Sequence, residues 1–163
     1  MRRYPEIRSP YPWGRAGYEA LISIRQARER DASKLQAIYQ LCVVRAAWQQ
    51  RAAETIPDFA QVSRGESVWL AVDDNDDARA VLAVQEAGAY IHHLYVAPDM
   101  QGQGLGKALL QHLQSCIPFP WRLKCVAQNH AALGFYEHLG WHRIEQGQGE
   151  DGIYYLLEHT GPI

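Results

Sequence analysis

The stretch HHLYVAPDMQGQGLGKALLQHL, residues 92–113, changes character twice. It begins as an apolar strand, passes through three alternate glycines, Gly102, Gly104 and Gly106, and ends with Leu105, Leu109, His112, Leu113 and Cys116 recurring along one helical face. The glycines therefore sit where a strand gives way to a helix start. The first turn of a helix carries N–H groups without partners and the positive end of the helix dipole. Glycines let the backbone bend sharply and approach a ligand closely. Together these features specify an anion site, and a pyrophosphate is its natural occupant.

Known phosphate loops can be laid over it. A Walker loop fails, because Gly106-Lys107 is followed by Ala108 and Gln101 stands where the first glycine belongs. A dinucleotide loop fails as well, because Leu105 and Lys107 occupy the position of its third glycine in the two possible registers. A third pattern, Q/R-x-x-G-x-G/A, fits in full as Gln101, Gly102, Gln103, Gly104, Leu105 and Gly106.

Outward from this loop, the chain reads as alternating strands and helices. Strands are expected at 21–26, 68–72, 79–86, 89–96, 122–126, 141–145 and 153–158. A helix with Asp31 as its N-cap is expected to run to about Trp48, and another opens at Asn129 and stops at Gly140. Residues 51–66 read as loop or broken helix, and the acidic run DDNDD as a solvated hairpin tip. The expected fold class is α/β in layers, with a mixed central sheet of about six to seven strands flanked by helices. Residues 1–20 form a Pro- and aromatic-rich N-terminal extension and residues 21–163 a single domain. The aromatics Tyr4, Tyr11, Trp13 and Tyr18 suit packing on the domain itself or on a second copy, so a homodimer is compatible with this segment.

The loop pattern resembles the coenzyme A loop of the GNAT (GCN-related) N-acetyltransferase superfamily. LYVAPDMQGQGLGKALL is similar to that family's strand–loop–helix unit, and NHAALGFYEHLGW, beginning at Asn129, to its second signature, N-x-x-A-x-x-F-Y-x-x-x-G-[FW]. The two lie in the family's order, separated by one strand. The resemblance covers residues 22–158 and leaves 1–20 outside.

This resemblance implies an acetyl-CoA-dependent N-acetyltransferase, with acetyl-CoA as donor substrate and an amine as acceptor. It implies that the pantetheine arm pairs with Leu94, Tyr95 and Val96, the N–H of Leu94 lying near the thioester oxygen where charge grows. It implies that the amides of Gln101, Gly102, Gln103, Gly104, Leu105, Gly106 and Lys107 hold the pyrophosphate. Lys107 adds charge there or is a solvated helix lysine. Asn129 is a helix cap, a pantetheine contact, or both. Tyr136 holds the position of the family's general acid, against the alternative of a core aromatic. The family's base, when a side chain serves, lies on the strand upstream, and strand alternation puts His92 on the face of Leu94 and His93 on the other. His92 is the candidate base, with Glu86 and Tyr90 in reserve and a plain surface or core histidine as the alternative. Acceptor pockets are implied at 43–65, where Trp48 is a candidate lining residue, and at 145–154, where Glu145, Glu150 and Asp151 could attract a cation. A non-catalytic acyl-CoA-binding sensor is the second functional class left open.

Composition narrows the partners. A formal net charge of −2 on 163 residues, with only short basic clusters at Arg2-Arg3 and around Arg25, Arg28 and Arg30, disfavours nucleic acid. Those arginines read as solvated. No run of 18 apolar residues exists, which argues against a membrane span, and a cytoplasmic location is expected. Three scattered cysteines, Cys42, Cys116 and Cys125, fit a reducing compartment, with Cys125 a core thiol and no nucleophile. The histidines show no metal-ligand spacing, so no metal is expected.

Overall fold

Residues 80–84 of the chain are the most buried run in the molecule, each at 0 % exposure. They form the middle of an eight-residue strand, and an apolar run buried on both faces belongs at the centre of a sheet covered on both sides. The computed structural model describes residues 7–8, 21–46 and 55–163. Its strands are β1 (Ile7–Arg8), β2 (Ser23–Gln26), β3 (Ser67–Val72), β4 (Ala78–Gln85), β5 (Tyr90–Val96), β6 (Trp121–Val126), β7 (His142–Gly149) and β8 (Gly152–His159). Its helices are α1 (Ala32–Arg45), the single turn α2 (Phe59–Val62), α3 (Leu105–Leu113) and α4 (His130–His138). The sheet order is β1-β2-β3-β4-β5-β6-β8-β7. Counted without the two-residue β1, that is a seven-stranded mixed sheet. All neighbours are antiparallel except β5 and β6.

Two cores follow from strand alternation. Trp69, Ala71, Leu82 and Val84 face α3 and α4, where Leu105, Leu109, Leu133 and Tyr136 meet them. Leu70, Val72, Val81 and Ala83 face α1 and α2, where Leu35, Ile38, Tyr39, Val43 and Phe59 meet them. In α1 these positions repeat at three- and four-residue intervals, the stripe a helix needs to lie on a sheet. Burying each such leucine or isoleucine contributes roughly 2 kcal/mol.

Ile7–Arg8 pairs with Ser23 and Ile24 on the outer edge of the sheet. The other residues of 1–20, with their aromatics, and Trp48 lie outside the described residues.

Four expectations are corrected. Asp31 occupies the N-cap position of α1, yet its carboxylate makes no cap bond. It receives both terminal nitrogens of Arg25 at 2.8 and 2.9 Å and the Arg28 N–H at 2.7 Å. Arg25 is therefore not a solvated arginine: it is 5 % exposed and bridges Asp31 to Asp76. The acidic hairpin is not merely solvated either, because Asp73 takes Arg79, Asp76 takes Arg25 and Arg30, and Asp77 takes Lys34. A bidentate guanidinium outcompetes a helix N–H for a carboxylate.

The fourth correction concerns β5. Ala83 pairs with His93 and Val84 with Ile91, so His92 is one extra residue on the β5 side. Ile91 consequently lies in the α3/α4 core beside Leu94 and Val96. His93 instead stacks on Tyr39 and Phe59 of the other core. The unbroken alternation read from sequence fails at His92. His92 and His93 do not point to opposite sides: His93 reaches the backbone of Val62, the last residue of α2, and His92 reaches Glu66 in the segment that follows it.

Candidate active site

β5 and β6 run side by side, and one rung joins them, Tyr90 opposite Arg122. There the Arg122 N–H donates to the Ala89 carbonyl at 3.1 Å. The Lys124 N–H donates to the Tyr90 phenol oxygen. Beyond this point β5 keeps its ladder with β4 and β6 keeps its ladder with β8, and the two strands part. The bulge at His92 supplies the cause, since an extra residue bends and twists its strand. The Ala97 N–H donates to the Arg79 carbonyl at 2.9 Å, so Ala97, and Tyr95 two residues back, aim their peptide groups at β4. Leu94 and Val96 accordingly aim theirs into the fork. The Val96 carbonyl there accepts from Gln101 Nε2 at 3.2 Å and from the Cys42 thiol at 3.3 Å.

The loop that follows ends at the N-terminus of α3. Gly102 has φ +75° and Gly104 φ +84°, left-handed values that a side chain rarely adopts. Gly106 has a different reason: a Cβ there would stand 3.1 Å from the Phe135 ring of α4, so its hydrogen lets the two helices pack. The first bond within α3 runs from Ala108 N–H to Gly104 C=O at 2.9 Å. The N–H groups of Leu105, Gly106 and Lys107 therefore precede the first helical donor, Ala108, and remain available to an anion. Lys107 is exposed beside them.

On the α4 side of the fork, Asn129 caps the helix, its Oδ1 accepting from Ala132 N–H at 3.2 Å. Tyr136 is 7 % exposed and packs against Phe135 and Trp141. Burial, with the Cys125 thiol and the Tyr95 phenol nearby, pushes its ionisation far up. Tyr136 is thus a phenol that keeps its proton at the junction of β5, β6 and α4. Cys125 is buried and its thiol is pushed up to about 11 by that burial, which keeps it protonated and poorly nucleophilic.

On the opposite side, His92 Nδ1 contacts Glu66 Oε1. The Glu66 side chain is 7 % exposed while that of His92 is 42 % exposed. Glu66 Oε2 is buried with no hydrogen-bond partner among the described residues. Burial raises the Glu66 carboxyl, and the neighbouring His92 opposes that rise. The Tyr90 ring lies 4.6 Å from that of His92. His93 bonds to the Val62 backbone, and burial, with His92 alongside, pushes it down to about 4, so it is neutral. Two groups of opposite aptitude, a protonated phenol and an exposed imidazole backed by a carboxylate, thus flank the place where the strands divide.

A family model described as an acetyltransferase (GNAT) domain matches residues 29–156. The chain belongs to the GNAT acetyltransferase family. As a GNAT protein it is an acetyl-CoA-dependent N-acetyltransferase, the catalytic one of the two classes left open by the sequence. It is 28 % identical over 137 residues to the peptidyl-lysine N-acetyltransferase YjaB of Salmonella typhimurium, covering 80 % of this chain and 90 % of that one. The Escherichia coli YjaB is 25 % identical over 137 residues, again 80 % of this chain and 89 % of the relative. The solution structure of apo YjaB from Escherichia coli superposes with a TM-score of 0.70 at 25 % identity, over 86 % of this chain and 99 % of that one. A Salmonella typhimurium acetyltransferase, yncA, with its cofactor acetyl-CoA shares the fold, with a TM-score of 0.63 at 20 % identity over 85 % of this chain and 93 % of that one.

Of the residues singled out in the sequence, Leu94, Val96, the 101–107 loop, Asn129 and Tyr136 gather around the fork. Tyr95 does not present its backbone there, and its side chain turns to Tyr39, 5.6 Å away. Glu86 sits in the turn between β4 and β5, bonded by the Ser67 hydroxyl. Glu145 and Glu150 are exposed on the β7–β8 hairpin. Glu66 was missed. A lone carboxylate before an apolar strand carries no periodic signal, and only the bulge brings His92 to it. Among the described residues, no helix is long and apolar enough to cross a membrane.

Proposed function

We propose that this enzyme acetylates the ε-amino group of lysine within peptides or proteins, and that the reaction takes place in the fork between β5 and β6. The observation that carries the siting is the single rung at Tyr90 and Arg122, past which the peptide groups of Leu94 and Val96 belong to no ladder with β6 and the Val96 carbonyl is met, among the described residues, only by the Gln101 and Cys42 side chains. In this reading those groups hold the pantetheine arm, the N–H of Leu94 polarises the thioester, and Asn129 meets the arm from the start of α4. The amides of residues 101–107 hold the pyrophosphate, with Lys107 adding charge. Lysine as the acceptor class is suggested by the two YjaB relatives.

The chemistry is direct transfer. The amine lone pair forms the N–C bond to the carbonyl carbon, and the amine proton passes to His92. The C–S bond breaks with its electrons on sulfur, and Tyr136 gives its proton to the thiolate. Holding both reactants in one fork supplies much of the rate by proximity.

Competition among acceptors tests this. A lysine-containing peptide, free lysine, spermidine and an aminoglycoside are offered with acetyl-CoA, and thiol release and product mass are followed. The expected result is the highest kcat/KM for the peptide, with the acetyl group on lysine Nζ. A higher kcat/KM for spermidine or the aminoglycoside overturns the acceptor class. His92→Ala is expected to slow turnover about a hundredfold, as loss of a general base does. Unchanged turnover removes His92 from the reaction.

A further inference from the structure

We propose that Glu66 is the positioning residue for His92: its carboxylate, buried behind the ring, holds a proton on Nδ1 and leaves Nε2 bare to take the proton of the acceptor amine. The inference rests on the reading of His92 as the base and deepens it.

Three observations carry it. The contact joins a carboxylate more than nine-tenths buried to an imidazole that is 42 % exposed. A carboxylate accepts and does not donate, so the Nδ1 facing it bears the hydrogen and the tautomer is set. Secondly, Glu66 Oε2 has no hydrogen-bond partner among the described residues. A buried carboxylate oxygen left unsatisfied is rare and destabilising, and functional sites are where such groups persist. Thirdly, His92 reaches Glu66 only because the strand carries an extra residue there. In a regular strand His92 would share a face with Leu94 and turn away from the segment that holds Glu66.

Among the described residues, the titratable groups shown facing His92 are Glu66 from the α2–β3 segment and Tyr90 and His93 from its own strand. His93 does not compete for Glu66, because it is tied to Val62. Tyr90, spent on the Lys124 N–H, packs beside the His92 ring and holds its plane.

The proton balance is closed by groups on the page. As the amine nitrogen bonds to carbon, one N–H proton passes to His92 Nε2 and the imidazole becomes an imidazolium. Glu66 faces that new charge across Nδ1–H. The sulfur leaves with the C–S electron pair and takes its proton from Tyr136. The imidazolium then releases its proton to water, and the Tyr136 phenolate takes a proton back from water, so both groups return to their starting states. Orientation and charge stabilisation by a carboxylate behind a histidine is the logic of acid–base–nucleophile triads, applied here to an amine.

The test uses the full-length enzyme with acetyl-CoA and the best acceptor of the panel above. Glu66→Gln, His92→Ala and the double variant are compared. Glu66→Gln is expected to lower kcat about tenfold or more, with acetyl-CoA affinity by calorimetry within about twofold of the parent. The double variant is expected to be no slower than His92→Ala. Long-range 1H–15N spectra of the unaltered protein are expected to find the His92 hydrogen on Nδ1, and those of Glu66→Gln to find that preference lost. A Glu66→Gln enzyme as fast as the parent beside a slow His92→Ala overturns the proposal while leaving the base in place. So does a His92 hydrogen on Nε2 in the unaltered protein, a readout that needs no variant to fold. A His92→Ala enzyme with full turnover brings down the base assignment and this inference together.

Discussion

Tyr90 and Arg122 form the rung that joins β5 to β6, and the two strands diverge immediately beyond it. This one relationship organises the site. It lies next to the bulge at His92, it leaves the peptide groups of Leu94 and Val96 outside any ladder with β6, and it brings Tyr136 of α4 to the opening from one side and His92 from the other.

Gly106 separates packing from phosphate binding. Its missing Cβ would meet Phe135 at 3.1 Å. Gly106→Val should therefore displace the first turn of α3, cost about 1–3 kcal/mol in urea unfolding and weaken acetyl-CoA binding by about tenfold in calorimetry. Adding Phe135→Ala should restore part of the binding, because it removes the colliding ring. Gly104→Ala, at a left-handed φ, should show no such rescue.

Tyr136→Phe should lower kcat about a hundredfold while acetyl-CoA affinity and unfolding midpoint stay near those of the parent. Burial pushes this phenol upward, so it stays protonated as pH rises. The kcat profile should therefore show no alkaline fall that Tyr136→Phe abolishes. Undiminished turnover in Tyr136→Phe would remove the general-acid role.

Arg25 and Asp31 make a buried pair at 2.8 Å. Asp31→Asn leaves the buried guanidinium with only the part-exposed carboxylate of Asp76 and should destabilise the protein by about 2–4 kcal/mol in chemical denaturation. Arg25 holds the Asp31 carboxyl below its ordinary range, chiefly by hydrogen bonding. Its stabilisation is present above the unfolded value of about 3.9 and is lost as pH falls through the lower folded value. The acid-unfolding limb below about pH 4 should flatten in Asp31→Asn.

His93 is pushed down to about 4 by burial. Its contribution to stability is present above the unfolded histidine value of about 6.5 and declines as pH falls toward the folded value. The urea midpoint should drop over that window, by an amount worth at most about 3 kcal/mol. Glu66, raised by burial, works in the other direction, favouring the fold where its carboxyl is protonated. His93→Phe, which keeps the contacts with Tyr39 and Phe59, should reduce the drop. An unchanged pH dependence in that variant would show that His93 is not the group responsible.

The order of strands and helices along the chain was legible in the sequence because it rests on local rules: alternation, helical spacing, glycine at left-handed turns and an asparagine cap. Asn129 and Gly104 do what their residue types suggest. What local rules miss is competition between distant partners. Asp31 looks like a cap until Arg25 arrives from the neighbouring strand. The acidic hairpin looks solvated until four basic side chains converge on it. His92 and His93 look opposed until one inserted residue turns them to the same segment. Glu66 was invisible for the same reason, since its meaning depends on a bulge two strands away. Gly106 reads as a ligand-approach glycine, and its reason proves to be Phe135.

A crystal structure of the enzyme with acetyl-CoA tests the central claim most directly. The account predicts the pantetheine arm lying along Leu94 and Val96 as an added strand in the β5/β6 fork, with pyrophosphate oxygens on the amides of residues 102–107. Acetyl-CoA bound elsewhere, or a fork that stays closed by side chains while the ligand is held at another surface, would contradict it.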